Sequence, residues 1–87
     1  MSADQARVQA EAHLSLAEKH LIEGQQRVDD QRLRIEEARR NGVNIESAEK
    51  YLATLEEIMT TWREHRNLIV ARLAALDAAE AERLSRL

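Results

Sequence analysis

Residues 45–76 read IESAEKYLATLEEIMTTWREHRNLIVARLAAL, and within them Ile45, Ala48, Leu52, Leu55, Met59, Trp62, Arg66, Ile69, Leu73 and Leu76 recur in alternating steps of three and four. At 3.6 residues per turn those steps stay on one face, so the spacing predicts an amphipathic helix from Ile45 to about Arg86. In heptad notation Ile45 opens position a and Ala48 position d. A further column, Tyr51, Ile58 and His65 at position g, runs beside Leu55, Trp62 and Ile69. A face about three positions in seven wide is more than one partner helix covers, and suits a helix touching two.

Upstream, Leu14, Leu21, Val28 and Ile35 fill position a of an earlier helix, and Ala17, Gly24, Gln31 and Ala38 fill position d. One column is large and the other small, a surface suited to close approach by a partner helix. This helix is predicted from about Asp4 to Arg40. Between the two, Asn41-Gly42-Val43-Asn44 breaks the pattern: Gly42 suits a left-handed C-terminal cap, and Asn44 an N-cap ahead of Glu46 and Glu49. The heptad phase slips there too, since position a extrapolates to Gly42 and restarts at Ile45. Helices of about 55 to 63 Å joined by so short a turn must lie antiparallel.

Folding about Gly42 brings e positions together, Arg39 level with Glu49 and Arg32 with Glu56; it also sets Gly24 near Trp62 and Arg7 near Glu80. Exposed pairs of this kind contribute about 0.2 to 1 kcal/mol each, enough to choose a register but not to hold a fold. The fold class expected is all-α: an antiparallel two-helix hairpin, coiled-coil-like, occupying 1–87 with its turn at 41–44 and no further domain boundary. So small a hairpin encloses little core, and dimerisation into a four-helix bundle is the expected remedy. The predicted interface is Tyr51, Leu55, Ile58, Trp62, His65, Arg66 and Ile69.

Composition narrows the function classes. The chain has 87 residues and no cysteine, which removes disulfides, redox pairs and thiolate zinc sites and fits a reducing, cytoplasmic setting. The longest run free of Asp, Glu, Lys and Arg is Ala12 to Ala17, against about 20 apolar residues for a membrane span. Met1 to Arg7 lack the basic and apolar regions of a secretory leader, so a mature start is expected. With 13 Lys and Arg against 16 Asp and Glu, the net charge of -3 argues against nucleic acid and anionic membranes as partners. Arg27, Arg32, Arg34, Arg39 and Arg40 are interleaved with Asp29, Asp30, Glu36 and Glu37, with no aromatic residue to stack a base.

Chemistry has few footholds. No Gly-rich phosphate loop or G-x-S-x-G elbow occurs, and Ser2, Ser15, Ser47 and Ser85 have no histidine at an activating spacing. No enzymatic activity and no cofactor are expected. His13 and His20 take g positions of the first helix, and His65 a g position of the second, level with His20. With Glu23 one turn away, His20, Glu23 and His65 are the candidate metal or small-ligand set, opposed by the fixed charge of Arg66. Arg66 itself breaks the seam at position a. It either snorkels to water or joins Glu18 or Glu23 in a polar layer.

The stretch His20-Leu21-Ile22-Glu23-Gly24, then Arg27-Val28, Gln31, Ile35, Gly42, Ala48-Glu49, Leu52-Ala53-Thr54 and Arg63-Glu64-His65-Arg66, resembles short bacterial helical-hairpin proteins common in alphaproteobacteria. That group has no assigned activity. The resemblance covers about 47 residues, implies the hairpin, and marks His20, Glu23, Arg63, His65 and Arg66 as positions beyond core packing. Val43 and Ile45, where the group is polar, and Trp62 depart from its pattern. The expected function is a non-enzymatic interaction or self-assembly protein, a homodimer able to present its outer face to another protein. The alternative is a bundle that binds a metal or small ligand.

Overall fold

The computed structural model describes residues 2–87 as two helices, α1 (Ala3–Arg40) and α2 (Glu46–Ser85). α1 begins at a capping box: the Ser2 hydroxyl accepts from the Gln5 amide at 3.2 Å, and the Ser2 amide donates to Gln5 Oε1 at 3.0 Å. Two otherwise orphaned amides are satisfied there, which sets the first turn. At the other end Gly42 takes φ 70°, the Val43 amide reaches the Ala38 carbonyl at 2.9 Å, and the Gly42 amide reaches Arg39 at 3.2 Å. This is a Schellman cap, and its left-handed residue favours glycine. The start of α2 differs from expectation. Ile45 is the capping residue and offers no side-chain acceptor, while Asn44 Oδ1 accepts from the Glu46 amide at 2.9 Å from one position further out.

The helices pack antiparallel into a rod 71 × 17 × 14 Å, with a radius of gyration of 19.8 Å where a compact chain of this length has about 12 Å. Its core is one thin seam. Ala10, Ala17, Val28 and Ile35 of α1 and Leu55, Met59 and Ile69 of α2 are buried, and Leu21 and Leu52 pack against the Val28–Leu55–Met59 cluster. Gln31 is buried with them, and its Nε2 donates to the Ala48 carbonyl at 3.1 Å, tying the helices near the turn.

Ion pairs fix the register. Arg32 reaches Glu56 at 3.3 Å, and Arg7 reaches Glu80 at 2.8 Å and also Asp77, both as the antiparallel alignment of the sequence implies. The Asp77 hydrogen bond, outweighing desolvation, holds the Arg7 guanidinium above its ordinary pKa. A raised base stabilises below its folded pKa, so on the arginine side this tie lasts through the whole neutral range. Arg39 and Glu49 form no ion pair among the described residues. Gly24 also differs from expectation: a side chain there would run into Met59 Sδ rather than the indole of Trp62. Met59, at position a, occupies the room that Gly24 leaves at d.

Exchanging bulk across this contact tests it. Gly24→Leu should lower the melting temperature: overpacking costs about 1 to 3 kcal/mol and outweighs the roughly 0.5 to 1 kcal/mol returned by removing a mid-helix glycine. Met59→Ala alone should cost about 2 to 5 kcal/mol, and adding it to Gly24→Leu should recover stability. Thermal melts at one protein concentration decide it; a stabilising Gly24→Leu would show that the space beside Met59 is slack.

Candidate functional site

Alternation of burial along α2 separates what the seam uses from what it leaves open. Leu55 and Ile69 are spent inside the hairpin at 8% and 7% exposure. Tyr51 and Ile58, in the g column, stay 51% and 47% exposed, and Leu68 beside them is 71% exposed. The predicted interface is thus split. Its free part is Tyr51, Ile58, the half-buried Trp62, exposed His65 and half-buried Arg66. Leu68 stands exposed beside them at position c, outside the three-column pattern that the spacing predicts.

Trp62 organises the middle of this face. His20 of α1 meets the indole edge-on at 4.3 Å between ring centroids, and His65, one turn on, meets it at 5.7 Å, also edge-on. Aromatic pairs favour this geometry because a positive ring edge meets a negative face. The indole therefore packs against both imidazoles that the sequence places level with each other. His20 Nδ1 is buried without a hydrogen-bond partner, and the Glu23 carboxylate lies 4.0 Å from Lys19. Among the described residues no group of three or more His, Asp or Glu side chains is arranged to hold a metal ion.

Beside Trp62 a groove of about 270 Å³ opens between the helices, floored by Leu55 and Met59 and rimmed by His20, Glu23, Gly24, Arg27, Ile58 and Trp62. Along the exposed face, Thr54 and Thr61 donate to the Lys50 and Glu57 carbonyls at 3.2 Å each. Their hydroxyls are satisfied locally, so another surface can cover them without stranding a donor. Tyr51, Thr54, Ile58, Thr61, His65 and Leu68 include no Asp, Glu, Lys or Arg. Such a strip suits burial against another surface.

Arg66 is resolved in favour of snorkelling. It is half-buried, its Nε donates to Asn67 Oδ1 at 3.2 Å, and neither Glu18 nor Glu23 pairs with it among the described residues. The stem packs on the seam while the head stays at the surface. No candidate membrane span occurs among the described residues: no helix there is long and apolar enough. Comparison of the chain with protein families, curated proteins and solved structures found no match.

Since only the stem of Arg66 contributes packing, Arg66→Leu should raise stability by about 1 kcal/mol, several degrees in melting temperature for a chain of this size. Arg66→Ala, which removes the stem, should lower it. Circular-dichroism melts check both; a loss in both variants would show that the guanidinium head, not the stem, matters.

Proposed function

We propose that this chain is a non-enzymatic, cytoplasmic interaction protein that pairs with itself, two hairpins closing into a homodimeric four-helix bundle through the open face of α2. The observation that carries this is surface area. The chain exposes 6728 Å². A compact monomer of its 10.0 kDa exposes about 5,200 Å². The excess, about 1,500 Å² per chain or about 3,000 Å² for a pair, lies in the range that obligate dimers bury. A strip free of Asp, Glu, Lys and Arg, its threonine hydroxyls satisfied, supplies the surface to bury, and the charged outer faces keep the pair in solution and open to another protein.

A small-ligand or metal-binding bundle is the second reading, favoured by the groove at His20, Glu23 and Trp62. Metal analysis separates the two: zinc, iron or copper surviving dialysis in stoichiometric amount, and lost from a His20→Gln, His65→Gln double variant, would favour the second.

Self-pairing makes a direct prediction. Light scattering after size exclusion, at tens of micromolar protein, should return twice the chain mass of 10.0 kDa. A single-chain mass would overturn self-pairing and leave the α2 face to a different protein.

A further inference from the structure

We infer that the two copies meet across a twofold axis at Ile58, with α2 antiparallel to its own copy, so that each Tyr51 lies beside His65 of the partner subunit. This rests on the self-pairing reading and adds its geometry. In an isologous contact the residue on the axis meets itself, and residues equally spaced from it exchange. Tyr51 and His65 each stand one heptad from Ile58, about 10.5 Å along the helix. An antiparallel copy therefore sets isoleucine against isoleucine at the centre and a phenol against an imidazole at each flank.

The flanks are complementary rather than merely symmetric. The side-chain hydrogen bonds donated from this part of α2 come from Thr54, Thr60, Thr61 and Arg66, so the Tyr51 hydroxyl and the His65 imidazole remain without one among the described residues. Antiparallel pairing offers each a partner that can donate or accept. Parallel pairing would set like on like. At the axis, Ile58 borders the groove beside Trp62, so each isoleucine is a knob beside the other copy's hole.

Charge on α1 agrees independently. Gly24 opposes Met59 and His20 meets Trp62, which sets Ile58 level with Gly24 and Gln25, in the turn between Glu23 and Arg27. A twofold axis normal to the plane of the two α2 helices also brings α1 alongside its copy. It passes between Glu23 and Arg27 and places each Glu23 near Arg27 of the partner subunit. Arg27 has no ion pair among the described residues, and Glu23 has only the 4.0 Å approach of Lys19, so both are free to make that contact. Two opposite-sign pairs then flank one axis.

The chain has no cysteine, so introduced thiols report geometry cleanly. After mild oxidation of Ile58→Cys, most of the protein should run as a covalent dimer, whereas Leu33→Cys on the outer face should not. Tyr51→Cys and His65→Cys should each stay monomeric on a denaturing gel and cross-link when mixed, because a disulfide needs Cα atoms within about 7 Å and identical sites lie about 21 Å apart along antiparallel helices. As a second readout, Glu23→Arg or Arg27→Glu alone should weaken the dimer about tenfold, and the two together should restore it. A dimer by light scattering that does not cross-link at Ile58→Cys, or that cross-links at Tyr51→Cys alone, overturns this geometry and leaves self-pairing standing. A monomer throughout overturns both.

Discussion

Two helices can touch along only one line, and this structure depends on how that line is filled. The large column of α1 and the space beside its small column receive α2 side chains of unequal size, with Met59 lying over Gly24 and packed with Val28 and Leu55. Because each helix has a single neighbour, every residue off the line stays wet whatever its chemistry. That is why the chain has a seam of alanines and medium-sized side chains, and no large residue wholly enclosed. Burial of this kind stabilises weakly per residue, so length compensates: long helices add contacts turn by turn while the cross-section stays fixed.

The polar groups in the seam specify alignment at positions where apolar residues would pack in several registers. Gln31 binds the Ala48 carbonyl near the turn, Arg32 meets Glu56 further along, and Arg7 meets Asp77 and Glu80 at the open end. A heptad slip would break all of them together. The exposed pairs are individually weak, yet their spacing along the rod makes the register a collective property, while the Schellman cap at Gly42 fixes where the count begins.

Much of this was legible in the sequence because it follows from periodicity and sign. The seam positions, the left-handed Gly42, and the levels of Arg32 with Glu56 and Arg7 with Glu80 come from counting in heptads and folding at the break. What the count blurred was anything finer than a turn. The heptad count sets Gly24 near Trp62, yet a side chain there meets Met59, since adjacent levels differ by only a few ångströms and side-chain direction decides the contact. Position a fixes only the Cα of Arg66, so spacing alone does not choose between solvent and a polar layer; the flexible stem reaches the surface and Asn67. The Ser2–Gln5 capping box has its own local signal, S-x-x-Q, independent of the heptad count. For the face around Trp62, the columns gave Tyr51, Ile58 and His65 but not Leu68, whose role depends on which flank of the hairpin stays open.

A hydrophobic strip on a rod has two fates, depending on symmetry. If it met a different patch on the next copy, the contact would repeat without closing and build a filament. Under the twofold pairing proposed at Ile58, the same strip is both donor and receiver, so one partner covers it and nothing apolar of that size is left to recruit a third. The outer faces then decide further association, and they are interleaved in charge: Lys50 with Glu46, Arg32 with Asp29, Arg86 with Glu82. Mixed-sign surfaces of this kind bind their own counter-charges along the helix. In the proposed pairing the strip drives assembly, closure about the twofold axis limits assembly to two, and the solvated faces leave recognition of any further protein to specific side-chain pairs.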